Sequence, residues 1–92
     1  MSRYIKPRLH ASYSVGSQPV QIAQQNFPNR VRLVIANWGN QTVYLDKDGS
    51  LGALGMPLVA GARLVDDESH DAWFATCPTG TATVSVVETI AA

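Results

Sequence analysis

Residues 27–46 read FPNRVRLVIANWGNQTVYLD, and this stretch predicts the fold class of the chain. Val31, Leu33 and Ile35 occupy alternate positions, and the alternation resumes at residues 42–45 after a loop that contains Asn and Gly. Period-two alternation broken by an Asn- and Gly-rich turn is typical of a β-hairpin. We therefore expect two consecutive antiparallel strands that pair with each other, in an all-β protein.

The remainder of the chain also favours short strands over helices. β-Branched residues dominate it, and no capping box precedes a run with helical periodicity. Strands separated by frequent turns predict a small antiparallel β-sandwich, or a barrel-like sandwich, of about six to eight strands. The segments with the clearest strand pattern are residues 20–23, 30–37, 42–46, 62–65, 72–77 and 81–90.

The length of 92 residues allows a single domain. Residues 1–16 carry Arg3, Lys6 and Arg8 and show neither strand nor helix periodicity, so we expect an extended N-terminal arm there. Residues 17–92 are expected to form the β-sandwich domain. No apolar segment follows the N-terminal cations, and no apolar run reaches the roughly 18 residues of a membrane span. We expect a soluble protein, made in a cytoplasm, with no membrane partner.

The charge of the chain is low and unevenly distributed. Charged residues make up 15% of it, against about 25% in an average protein, which favours a chain that lives in an assembly. The first 45 residues hold five of the seven cations and no acid, whereas the rest holds two cations and all seven acids. Three explanations stay open: attraction within one fold, contact between the basic part of one subunit and the acidic part of the next, or chance.

The most acidic segment is the best candidate for metal binding, because hard cations prefer several oxygen ligands. However, contiguous acids in a turn point in different directions, and no second ligand group accompanies them. We therefore expect an acidic contact turn formed by Asp66, Asp67, Glu68 and Asp71, with no metal and no cofactor.

Nucleophilic catalysis would require a base beside a cysteine or serine. His10 lies in the expected arm and His70 in the acidic turn, whereas Cys77 belongs to an apolar strand where a small buried side chain is expected. Glu88 is expected to emerge at a strand end or to pair with an arginine rather than act as a lone acid. The sequence thus predicts no catalytic residue, and we expect a protein that is not an enzyme.

The candidate partner-binding residues are cationic or aromatic. Cations interleaved with aromatic rings can bind nucleic acid, but the net charge of zero gives no long-range attraction, so a protein partner is favoured over nucleic acid. The tryptophan of the 37–40 loop has three alternatives: an interface residue, a platform for a sugar ring, or a side chain folded back over its own hairpin. The candidates are Arg3, Tyr4, Lys6, Arg8, Tyr13 and Trp38.

Several consecutive motifs resemble one known family. They are Asn26-Phe27-Pro28-Asn29-Arg30 before the first clear strand, Asn37 and Val43-Tyr44 around the loop, GMPLVAG at residues 55–61, AWFA at residues 72–75 and GTATVSVVE at residues 80–88. This series resembles small β-sandwich accessory proteins of tailed bacteriophages, which decorate capsids or form head fibres. The resemblance extends over residues 21–88 and leaves the expected arm uncovered.

The resemblance implies a structural protein of the virion. Such a protein would bind the major capsid protein, or another virion protein, on the outer capsid surface as a decoration (cement) protein. It would be a homo-oligomer, with a trimer favoured, whose arm lies on the lattice or on a sister subunit. Deleting residues 1–16 is then expected to abolish capsid binding and to leave the fold intact. The alternatives are a head-fibre, collar or tail component, or a carbohydrate-binding β-sandwich module that contacts glycan on the host surface.

Overall fold

The computed structural model describes residues 5–24, 30–50, 55–67 and 71–91. These residues form eight β-strands and no helix. The strands are β1 (Ile5–Val15), β2 (Val20–Ala23), β3 (Arg30–Asn37), β4 (Val43–Asp46), β5 (Met56–Leu58), β6 (Arg63–Asp66), β7 (Trp73–Thr76) and β8 (Ala82–Ala91). None of the described residues belongs to a helix long and apolar enough to cross a bilayer.

The strands form two antiparallel sheets of four strands each. The first sheet has the order β1-β8-β3-β6 and the second the order β2-β7-β4-β5. The pairs β1/β8, β2/β7, β3/β6 and β4/β5 are all neighbours, so the first half of the chain runs antiparallel to the second half. A long antiparallel ribbon rolled into two sheets in this way is a jelly roll. The predicted all-β sandwich is therefore confirmed.

The predicted hairpin between β3 and β4 is wrong. β3 lies between β8 and β6 in the first sheet, whereas β4 lies between β7 and β5 in the second. The alternation identified both strands correctly, because Leu33 and Ile35 on β3 and Val43 and Leu45 on β4 are all buried. A buried face does not specify the neighbouring strand, however, since two strands that face each other across a sandwich show the same alternation as two that pair within one sheet.

Strand β1 corrects the expectation of an arm that lies outside the sandwich. It pairs with β8 from Ile5 opposite Ala91 to Val15 opposite Ala82, and Val15 is fully buried. The cations and proline that concealed its periodicity are residues commonly found on strands at the edge of a sheet. Deleting residues 1–16 would therefore remove part of the first sheet, so the fold is no longer expected to survive that deletion.

The core lies between the two sheets and is almost entirely apolar. Trp73 is buried, and Cys77 is a buried free thiol. Short strand β5, which lies outside the segments predicted to be strands, adds Leu58 opposite Val43. The other core residues include Ile22, Ala23, Ala75, Ala82, Val84 and Val86.

Candidate functional site

The outer face of the first sheet, which points away from the core, carries a groove. Cross-strand pairing forms two rows of side chains there: His10, Val87, Val34 and Val65 in one, and Ser12, Ser85, Ala36 and Arg63 in the next. The cavity has a volume of about 330 Å³. We call it the outer groove, and its lining residues are His10, Ser12, Val34, Ala36, Trp38, Arg63, Ser85 and Val87.

The centre of this outer face is apolar, which is unusual for a sheet surface exposed to water. An antiparallel sheet packed on one side normally presents polar residues on the other. Here Val34 lies between Val87 and Val65 on the neighbouring strands, and Val65 is 49% exposed. Exposed apolar residues that are neighbours in space, rather than scattered singly, are typical of binding surfaces.

Trp38 stands at one end of the outer groove, directly after β3. Its side chain is 69% exposed, yet its indole Nε1 donates a 2.8 Å hydrogen bond to Ser85 Oγ on β8. Its main-chain nitrogen donates to the Thr83 carbonyl oxygen at 2.9 Å. The tryptophan is therefore exposed but anchored to the sheet, and its N–H group is already satisfied.

The Trp38 loop approaches β8 so closely that it requires glycine at residue 39. A Cβ atom at Gly39 would lie 2.7 Å from the Cβ atom of Ala82. The buried side chain of Asn37 fixes the loop by hydrogen bonds. Its amide oxygen accepts from the main-chain nitrogen of Gly39, and its amide nitrogen donates to the carbonyl oxygens of Gln41 and Leu58. The position of the tryptophan is thus set by buried contacts of its neighbours.

Cations surround the apolar centre of the outer face. Arg63 lines the outer groove, and Arg32 lies in the row on the far side of Val34, opposite Thr89. Arg8 of β1 is also opposite Thr89 in the backbone register. The positions of β1, β3, β6 and β8 that share these rows carry no acid within the described residues. Asp67, directly after β6, is exposed. The lining of the outer groove, by contrast, contains Arg63 and no acid, so the outer groove itself favours an anionic group.

Arg30 and Glu88 form a buried ion pair at the opposite, inward side of the sheet. Arg30 Nη1 lies 3.2 Å from Glu88 Oε2, and the two side chains are 0% and 17% exposed. The guanidinium also donates to the carbonyl oxygens of Gln24 and Asp71, at 3.4 and 2.9 Å. The expectation that Glu88 pairs with an arginine is confirmed. The pair joins the basic first part of the chain to the acidic second part, in support of attraction within one fold.

Two of the three described acids of the expected contact turn make contacts within the chain. Trp73 Nε1 donates to Asp66 Oδ2 at 3.0 Å, and Lys47 Nζ donates to Asp71 Oδ2 at 2.9 Å. That second hydrogen bond raises the pKa of the Lys47 ammonium above its ordinary value. Asp67 is exposed. Within the described residues, no group of three or more His, Cys, Asp or Glu is arranged to hold a metal ion.

The residues that the sequence predicted to bind a partner do not lie together in the structure. Tyr13 is half-buried and packs against the core, so it does not belong to an exposed arm. Lys6 and Arg8 lie on β1, distant in the strand register from Trp38. The predicted positions Arg3, Tyr4 and Glu68 lie outside the described residues.

Sequence reasoning missed most of the outer groove. His10, Ser85 and Arg63 come from three strands and meet only through the register of the sheet. The sequence does contain apolar and cationic residues at the outward positions of its strands. These residues indicate one surface patch only when the strand order is known.

No protein-family model, curated protein or solved structure matches this chain.

Proposed function

We propose that this protein is a structural protein of a phage virion, which binds the outer surface of the capsid as a decoration (cement) protein and stabilises the lattice. Two features support the proposal: the motif series at residues 21–88, and a jelly-roll topology, an architecture that capsid proteins and lectins both use. Because one fold hosts many functions, the proposal needs a surface suited to the task.

That surface is the outer edge of β1, beside which no strand lies among the described residues, and it is the observation that carries the proposal. β1 is 11 residues long and stands at the end of the strand order of its sheet, with β8 on one side. The main-chain groups on the other side of an edge strand can pair with a strand of another protein. Lys6 and Arg8 place cations on this strand, which favours an acidic partner surface.

Simultaneous binding through several copies of the β1 edge would make the attachment strong. A single added strand buries a modest area, and binding through one copy is weak. A homotrimer placed on a symmetry axis of the capsid would present three copies of β1 at once. Each further contact is then intramolecular, so the total affinity exceeds that of one contact by orders of magnitude. The homo-oligomer and the major capsid protein as partner are parts of this proposal.

Cosedimentation with capsids tests the proposal that this protein binds the capsid through β1. Purified protein is mixed with capsids of the phage that carries its gene, and bound protein is separated on a density gradient. We expect saturable binding by the wild type and at least about tenfold weaker binding when Lys6→Glu and Arg8→Glu are combined. Arg63→Glu on β6, the opposite edge of the same sheet, is the matched control and should bind as the wild type does.

Two results would contradict the proposal. A wild-type protein that stays at the top of the gradient at every capsid concentration is not a decoration protein. Equal binding by the wild type and the β1 variant shows that β1 is not the contact. Light scattering after size exclusion measures the oligomer separately: a trimer is expected, and a monomer would contradict that part of the proposal.

A further inference from the structure

We propose that the outer groove binds a saccharide that carries a carboxylate, such as a uronic or sialic acid. This function goes beyond capsid binding through β1 and does not depend on it. The outer groove lies on the face of the first sheet, and of its lining residues only His10 and Ser12 belong to β1.

The size of the outer groove suits one or two sugar rings. Its volume of about 330 Å³ lies at the lower end of the roughly 300–1,000 Å³ that is usual for small-molecule sites. Such sites combine apolar and aromatic walls with a few polar groups that orient the ligand. Val34, Ala36 and Val87 supply the apolar floor, and Trp38 supplies the aromatic wall.

The Trp38 indole is held in a position where a sugar ring can stack on it. The C–H groups on one face of a sugar ring pack well against an aromatic ring, which gives large contact area with few rotatable bonds. The hydrogen bond from its Nε1 to Ser85 holds the exposed indole in place. Little conformational freedom is then lost on binding, which is the advantage of a preorganised side chain.

The polar groups of the outer groove match sugar hydroxyls and a carboxylate. Ser85 Oγ accepts from Trp38, so its own hydroxyl proton is available to donate. Ser12 and His10 add a second hydroxyl and an imidazole on the β1 side. Arg63 lies opposite Ala36 in the register, and its guanidinium has the fork geometry that fits a carboxylate.

The arrangement of strands favours a saccharide over an acidic peptide. The floor of the outer groove is formed by β8 and β3, and each of these strands is paired on both sides. Their main-chain groups are used in the sheet, so an extended peptide lying across the face has no backbone partners. Peptides of that kind add to sheet edges instead. A ligand in this groove must be recognised by side chains, as a sugar is.

The test uses an array of oligosaccharides that carry uronic or sialic acids, together with the same oligosaccharides after reduction of their carboxyl groups. Ligands that bind are then measured by titration calorimetry with the full chain. We expect the acidic forms to bind at least about tenfold more tightly than the reduced forms. Arg63→Gln should abolish this preference, and Trp38→Ala should weaken binding of both forms by at least about tenfold.

Two further variants separate ligand contact from a loss of structure. Trp38→Phe keeps an aromatic ring and should bind better than Trp38→Ala. Arg32→Gln removes a cation of the same face that does not line the outer groove, and it should bind as the wild type does. Thermal unfolding confirms that each variant is folded.

Several outcomes would overturn the inference: no acidic oligosaccharide binds, Trp38→Ala and Arg63→Gln bind as the wild type does, or a polyglutamate probe competes fully with the saccharide. The capsid experiment is independent, because Trp38→Ala should leave cosedimentation unchanged. A wild-type protein that binds capsids but no acidic oligosaccharide therefore contradicts this inference alone, and one that binds acidic oligosaccharides but no capsids contradicts the capsid proposal alone.

Discussion

Replacing Asn37 by alanine should destabilise the protein strongly, although the residue belongs to neither proposed binding surface. Asn37 ends β3 and is 1% exposed. Its Nδ2 atom donates to the carbonyl oxygens of Gln41 and Leu58, both at 2.8 Å, and its Oδ1 atom accepts from the main-chain nitrogen of Gly39 at 2.9 Å. Leu58 lies on β5, so this side chain ties the first sheet to the second at the point where the chain crosses between them.

The expected loss follows from these three hydrogen bonds. Each of the three hydrogen bonds contributes about 1 kcal/mol net, and two of them are only part-buried, so water can reach the partners that they leave behind. Asn37→Ala should therefore lower the free energy of unfolding by about 3 kcal/mol. For a domain of this size, that corresponds to a fall of roughly 12–24 °C in the melting temperature. Asn40→Ala, in the same loop but exposed, should change stability by less than about 0.5 kcal/mol.

Urea unfolding followed by tryptophan fluorescence measures the difference. The midpoint should fall while the slope m stays constant, because the variant exposes the same surface on unfolding. Asn37→Asp adds a second measurement: its carboxylate faces two carbonyl oxygens at neutral pH, whereas the protonated acid can donate to one of them. This variant should be less stable at pH 7 than at pH 4, relative to the wild type.

A loss below about 1 kcal/mol for Asn37→Ala would refute the assigned role of the side chain. Equal losses for Asn37→Ala and Asn40→Ala would also refute it, since they would show that the loop tolerates any change poorly.

Three more predictions concern the interior. Arg30→Met should cost about 3 kcal/mol in the free energy of unfolding, because it leaves the partly buried Glu88 carboxylate without its cation; equal or higher stability by thermal melting would contradict this. Gly39→Ala should cost about 1–3 kcal/mol, because its Cβ would lie 2.7 Å from that of Ala82, and an unchanged melting temperature would show that the loop moves freely. Cys77 should react with a thiol reagent only in urea; rapid labelling of the native protein would show that it is accessible.

The buried ion pair also bears on the uneven charge of the chain. Arg30 from the basic part pairs with Glu88 from the acidic part, so the two parts attract each other within one fold, whereas Lys47 and Asp71 both belong to the acidic part. The Lys47 pair is exposed on both sides and contributes little to stability. Arg32 and Arg63 stay on the outer face, and there the remaining positive charge is available to a ligand or partner.

Strand positions could be predicted because alternation is a local property. The prediction for β3 matches the observed strand Arg30–Asn37. The sequence left open whether Trp38 is exposed or folds back over its hairpin, and the structure shows it 69% exposed. Strand β1 was missed because its cations and proline obscured the period of two. The partner of β3 was predicted wrongly, because alternation reports which face is buried and says nothing about which strand lies alongside.

By itself, then, the sequence determined an all-β sandwich and the positions of most strands. Only the tertiary structure decided that β3 and β4 belong to different sheets, that β1 is an edge strand, and that His10, Ser85 and Arg63 share one groove with Trp38. The physical reason is that the alternation of buried and exposed side chains along a strand is set by residues that are neighbours in the chain. Its partners depend on hydrogen bonds between segments that lie far apart in the chain, as Ser12 and Ser85 do.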